Sequence, residues 1–133
     1  MTGGTVARIL IVEDDRDTTQ LLSTRLHGYG HTIITAPSGP LALHEVGFEF
    51  QIDVALLDVN LPGMDGFELL ESLRRHPELD NPRLPAIFLS GDKDPAIQER
   101  AHAMGAAFLP KPFVSGELQG AILVALNGLP DAS

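Results

Sequence analysis

Short apolar runs alternate along this chain with stretches in which apolar residues recur every three or four positions. Ala7 to Val12 (ARILIV) is rich in Ile and Val, as a buried strand would be, and it stops on Glu13, Asp14 and Asp15. Thr18, Leu22, Leu26 and Tyr29 then follow helical spacing, with Gly28 and Gly30 placed to end the helix. His31 to Ala36 (HTIITA) predicts a second strand. Ser38 is placed to cap a second helix, with Pro40 in its first turn and Ala42, Leu43, Val46 and Phe50 on its inner face. Val54 to Asp58 (VALLD) predicts a third strand, buried on both faces because no polar residue interrupts it before Asp58. Pro62-Gly63 and Asp65-Gly66 force a turn after it.

Phe67, Leu70 and Leu73 predict a third helix with Glu68, Glu71, Arg74 and Arg75 on its polar face. Pro77, Pro82 and Pro85 enclose a connection without periodicity, and Ala86 to Ser90 (AIFLS) reads as a fourth buried strand. Ile97, Ala101 and Met104 define a fourth helix that Gly105 stops. Ala107 to Leu109 is a short fifth strand leading into Pro110-Lys111-Pro112, and Ser115 is placed to cap a last helix with Leu118, Ile122 and Ala125 inward and Gly128 at its end. Five strands alternating with five helices predict an α/β fold, a parallel sheet wound on both faces. The expected organisation is a disordered start over 1–5, one domain over 6–128, and a tail or linker stump over 129–133.

Composition narrows the classes of function. With 133 residues, 44% apolar and 5% aromatic, the chain can build one core of Leu, Ile, Val and Ala. No apolar run approaches the ~20 residues that cross a bilayer, and the first residues lack the order of a signal peptide. The expectation is a cytoplasmic protein without a membrane partner, and the absence of cysteine agrees with it. The net charge is -9, and the basic residues cluster no further than the Arg74-Arg75 pair. Direct nucleic-acid binding is therefore not expected, since a phosphate-tracking surface needs clustered cations. The five histidines, 27, 31, 44, 76 and 102, show no metal-ligand spacing and are expected at the surface or its boundary.

The candidate chemistry lies at the strand ends. Glu13 and Asp14 follow the first strand, Asp58 ends the third, Ser90 the fourth, and Lys111 follows the fifth. In an open α/β sheet this carboxyl edge is where ligands bind. Neighbouring first and third strands would crowd three carboxylates together. Two like charges ~4 Å apart repel by roughly 4 kcal/mol at an effective dielectric near 20, so the pocket calls for a cation. Mg²⁺ fits, being a hard ion that accepts one or two carboxylates, keeps several waters and shares phosphate oxygens. Lys111 would add a compact positive charge beside Asp58, and the Ser90 hydroxyl a hydrogen bond to an incoming oxygen. Asp15, Asp17, Asp92 and Asp94 are expected as caps or solvated charges.

ILIVEDD, LLDVNLPGMDG, FLSGD and GAAFLPKPF together resemble the receiver domain of bacterial response regulators, chemotaxis regulators among them, over roughly Val6 to Gly128. The resemblance implies a flavodoxin-like (β/α)5 fold with strand order 2-1-3-4-5. It implies that Asp58 is a phosphoacceptor served by a histidine kinase, a histidine phosphotransfer protein or a small phosphodonor. It implies Mg²⁺, or Mn²⁺, held by Asp14 and Asp58, by the main-chain carbonyl of Asn60, and by Glu13 through water. Lys111, before a cis Pro112, would pair with a phosphoryl oxygen. Ser90 would move to the phosphoryl group and Phe108 would turn inward behind it, altering the surface of the fourth helix, fifth strand and fifth helix, where a downstream protein or a second copy could bind. Phe108 stands where a Tyr is frequent, so that surface would rely on packing. The Glu-Asp acidic pair is a variant within the family. Asn60 and Asp92 are short and polar enough to orient an attacking water, which implies a short-lived phosphoryl group. The protein would be a signalling phosphoacceptor and not an enzyme in the usual sense.

Other functions fit less well. No Ser, Thr or Gly cluster follows the first strands to wrap a flavin phosphate, and Asn60 occupies the place of a cobalamin-ligating histidine or of the second aspartate of a haloacid-dehalogenase-like phosphatase. A degenerate receiver serving only as a docking surface is the remaining alternative, and the complete Glu13, Asp14, Asp58, Ser90 and Lys111 set opposes it.

Overall fold

A computed structural model describes residues 6–46 and 51–127. Among them the chain order is β1 (Arg8–Val12), α1 (Arg16–Gly28), β2 (Thr32–Ala36), α2 (Gly39–Val46), β3 (Val54–Asp58), α3 (Gly66–Arg74), β4 (Ala86–Ser90), α4 (Pro95–Ala103), β5 (Ala107–Pro110) and α5 (Ser115–Asn127). The strands form one parallel sheet in the order β2-β1-β3-β4-β5, the flavodoxin-like arrangement. The expected disordered start, the tail over 129–133, Phe50 and Gly128 lie outside the described residues.

Every residue of β3 and β4 is buried, as uninterrupted apolar runs require when helices cover both faces. Alternation along the strands divides the core into two layers. Leu10, Val12, Ala55, Leu57 and Phe88 face α2, α3 and α4, whereas Ile9, Ile11, Leu56, Ile87 and Leu89 face α1 and α5. Helix ends follow the turn chemistry of the sequence. Ser38 Oγ accepts from Leu41 N at 3.3 Å, Asp94 caps α4 by accepting from Ala96 N at 3.0 Å, and Gly105 ends α4 with φ of 68°.

Four expectations are corrected. His31 is 2% exposed and not a surface residue: its Nδ1 accepts from Ala7 N at 3.0 Å and its Nε2 lies 3.1 Å from Gln119 Oε1, so the ring ties the start of β1 to α5. A lone histidine is satisfied here by partners 24 and 88 residues away, which no local spacing could reveal. Arg74 is not spread on the polar face of α3 but folds back, donating from Nε and Nη2 to Leu84 O and from Nη1 to Met104 O, so that it joins α3 to the segment leading into β4 and to the end of α4. Its long stem allows this, because a guanidinium can reach carbonyls two elements away while its methylenes stay on apolar surface. Tyr29 is exposed at the C-cap of α1 and adds nothing to that helix's inner face. Ser115 is the first residue of α5, not its cap; the Val114 carbonyl accepts from Glu117 N and Leu118 N, and the Glu117 carboxylate accepts from Val114 N at 3.1 Å.

Candidate functional site at the carboxyl edge

Register brings the site together. Val12 pairs with Leu57, so one further residue along each strand sets Glu13 beside Asp58. Asp58 pairs with Leu89 and Ser90 pairs with Pro110, which places Ser90 and then Lys111 at the same edge. Lys111 N donates to Ser90 O at 2.8 Å, and the Lys111–Pro112 peptide is cis as expected.

Glu13, Asp14 and Asp58 each offer a carboxylate oxygen within 4.8 Å of the others, with Glu13 and Asp58 buried and Asp14 exposed. Asp58 is 6% exposed, and both its oxygens are held: Oδ1 accepts from Asn60 N at 3.0 Å, and Oδ2 lies 3.4 Å from Lys111 Nζ. Lys111 sits closer to Glu13, donating to Oε1 at 2.7 Å, while Glu13 Oε2 accepts from Asp15 N. The ammonium thus bridges two buried carboxylates and lies nearer to Glu13. A group of oxygen donors alone, with negative charge in excess over its single ammonium, suits a hard divalent cation and could hold one.

Electrostatics follow from this crowding. Burial pushes the Glu13 carboxyl above its ordinary range; the Lys111 hydrogen bond opposes that shift, and the neighbouring Asp58 reinforces it. Burial would pull the Lys111 ammonium down, but the hydrogen bond to Glu13 and the charges of Asp58 and Glu13 outweigh it and raise its pKa. A raised folded pKa stabilises the fold below the unfolded value and withdraws that support as pH rises through the folded one. Glu13→Gln, which mimics the protonated acid, will therefore gain stability relative to wild type as pH climbs from 4.5, near the ordinary glutamate value. Urea unfolding of both proteins in chelator at pH 4.5 and 7.5 checks this; a constant difference between them would contradict it.

Ser90 is 1% exposed, and its Oγ accepts from Asp92 N at 3.0 Å. Asp92 Oδ1 accepts from Asp94 N at 2.9 Å, so this acid shapes the loop leading into α4. Asn60 is exposed beyond Asp58, and Phe108 is half-buried, paired in register with Phe88. Asp15 occupies the N-cap of α1 but makes no capping bond to the backbone; it accepts from the Thr18 hydroxyl, which holds its carboxyl below the usual range. The sequence reading did not single out Arg16, Gln20 and Thr35, which with Glu13 and Asp14 line a hollow of about 310 Å³ beside the acidic group. They lie on two different elements, α1 and β2, and only the β1–β2 pairing unites them.

A doubly wound sheet with a buried aspartate, an acidic pair, a hydroxyl and a lysine at one edge defines a signalling receiver. The chain belongs to the response regulator receiver domain family, whose model matches residues 9–123. It is 37% identical over 121 residues to protein RcaC of Microchaete diplosiphon, covering 90% of this chain and 18% of that protein. It is 31% identical over 112 residues to the cell cycle transcriptional regulator CtrA of Caulobacter vibrioides, covering 84% of this chain and 46% of CtrA. The chain thus spans less than half the length of these curated relatives. Chemotaxis protein CheY4 of Vibrio cholerae superposes with a TM-score of 0.81 at 29% identity, covering 92% of this chain and all of that one (100%). A response regulator from Chloroflexus aurantiacus gives 0.82 at 31% identity, covering 93% and 100%. Among the described residues no helix is long and apolar enough to cross a membrane.

Proposed function

We propose that the chain accepts a phosphoryl group on Asp58 from the phosphohistidine of a histidine kinase or a histidine phosphotransfer protein, as one step of two-component signalling. The observation that carries this reading is the placement of Asp58: a nearly buried carboxylate, fixed by Asn60 N, within 3.4 Å of Lys111 Nζ and beside Glu13 and Asp14. Glu13, Asp14, Asp58 and the Asn60 carbonyl are the groups that would hold Mg²⁺ or Mn²⁺. When bound, the cation neutralises charge gathering on the phosphoryl oxygens.

An Asp58 oxygen attacks phosphorus, a new O–P bond forms, and the P–N bond to the donor imidazole breaks. The electron pair stays on the imidazole nitrogen, which takes up a proton from solvent. Lys111 turns from Glu13 to a phosphoryl oxygen, an exchange of partners between neighbouring anions. Ser90 then donates its hydroxyl to the phosphoryl group. Phe108 borders both a hollow of about 370 Å³ with Gln98, His102 and Val124 and a second one with Lys93 and Pro95, so its rotation would reshape α4, β5 and α5 together. That face would then serve a downstream protein or a second copy. Asn60, bonded through its N to Asp58, and Asp92, bonded through its N to Ser90 Oγ, are the residues that would orient an attacking water and so give a short-lived adduct. The protein then catalyses nothing beyond its own phosphorylation and dephosphorylation, and acts in the cytoplasm.

Intact mass after incubation with acetyl phosphate and Mg²⁺ tests the reading. A single phosphoryl adduct that disappears when the metal is chelated is the expected result. No adduct after rapid quenching would favour a docking-only receiver.

A further inference from the structure

α4 is held to the body of the protein by little apolar surface. Ala101 is its one fully buried residue, and Ile97 and the C-cap Met104 add partial burial. Two arginines add to this attachment. Arg74 of α3 donates to the carbonyl of Met104, the C-cap of α4, at 2.7 Å. Arg100, from α4 itself, lays its guanidinium over the ring of Phe67, with Cζ 4.3 Å from the centroid. That ring is 3% exposed and packs on Phe88 of β4 with centroids 4.5 Å apart.

Phe67 is not an arbitrary anchor. It follows Gly66, whose N donates to Val59 O at 3.0 Å, and whose Cα lies so close to the end of β3 that an added Cβ would stand 2.5 Å from Asp58 O. A shift of the Asp58 backbone therefore reaches Gly66 without slack, then Phe67, then Arg100. Close packing transmits such a shift and does not absorb it.

We propose that Arg100 on Phe67 is a latch through which the first turn of α3 reports the state of Asp58 to α4, by a route separate from Ser90 and Phe108. Phosphorylation moves Gly66 and Phe67, the ring slides from under the guanidinium, and α4 loosens. This rests on Asp58 being the phosphoacceptor. It concerns a residue that takes no part in the chemistry, so Arg100 variants will still accept the phosphoryl group.

The test is amide hydrogen exchange over Pro95–Ala103, read by mass spectrometry with and without acetyl phosphate and Mg²⁺, with adduct occupancy taken from intact mass. In the unphosphorylated protein Arg100→Met will exchange about two- to five-fold faster in α4 than wild type, the factor a partly exposed cation–π contact is worth. Arg100→Lys, which keeps a cation, will fall between, and Glu99→Gln, on the same helix, will match wild type. Phosphorylation will accelerate α4 exchange in wild type, and by a smaller factor in Arg100→Met, whose latch is already open. An equal factor in both proteins would make Arg100 merely structural and overturn the latch, as would no change in the unphosphorylated variant. Absence of an adduct on wild type would overturn the phosphoacceptor reading and the latch with it, and the mass spectrum separates that failure from the others.

Discussion

Asp58→Asn will carry no phosphoryl adduct under conditions that load the wild type, and its thermal midpoint will be no lower. Asparagine keeps the size of the side chain and an oxygen able to accept from Asn60 N, which now bonds Asp58 Oδ1 at 3.0 Å. It lacks a carboxylate oxygen, and an amide is too weak a nucleophile to open a P–N or acyl phosphate bond. Folding should not suffer, because Lys111 keeps its closer partner, Glu13, at 2.7 Å. Removing the Asp58 charge also removes one cause of the raised Glu13 pKa, so the surviving Glu13–Lys111 pair sits in a less crowded field. Intact mass and calorimetry on the same samples give both readings. An adduct of wild-type occupancy on the variant would take the role from Asp58 and pass it to another carboxylate, Asp14 being the nearest exposed one.

Much of this site was legible because each of its residues closes a strand. An apolar run such as VALLD or AIFLS has one reading when helices flank it, and parallel winding then gathers every strand end at a single edge. The chemistry of Asp58, Ser90 and Lys111 could therefore be placed before any contact was known. What escaped the sequence depends on where long side chains go. Arg74, read as polar from its charge, lies seven residues after Phe67 and four after Leu70 and reaches the carbonyls of Leu84 and Met104, while Arg100, three residues after Ile97, covers Phe67. His31 failed for the same reason in reverse, since a polar ring at a strand start is burial-neutral until Ala7 N and Gln119 supply its partners. The preference of Lys111 for Glu13 over Asp58 is likewise a matter of less than an ångström between two carboxylates, below anything that spacing encodes.

Gly66→Ala will destabilise the protein by about 2–3 kcal/mol, the cost of forcing one methyl into a packed contact that cannot retreat. The new Cβ would meet Asp58 O at 2.5 Å and the Asp58 carbonyl carbon and Val59 Cα at 3.2 Å, all of them backbone atoms of a buried strand end. Gly66 cannot slide away, because its N–H is bonded to Val59 O and the capping box of Asp65 and Glu68 pins the turn that precedes it. Gly39 makes a useful contrast. Its added Cβ would come within 2.5 Å of Met64 Sδ, the far end of a flexible side chain, so Gly39→Ala will cost less. Gly91→Ala, with open space around it, will sit within about 0.5 kcal/mol of wild type, as exposed substitutions do. Urea unfolding ranks the three. Because the displaced atoms belong to Asp58 itself, Gly66→Ala will also slow phosphoryl uptake from acetyl phosphate, and it will loosen α4 by moving Phe67 from beneath Arg100. A Gly66→Ala protein as stable as wild type would show that α3 rides freely on the end of β3, and neither the slowed uptake nor the route to Arg100 would survive that result.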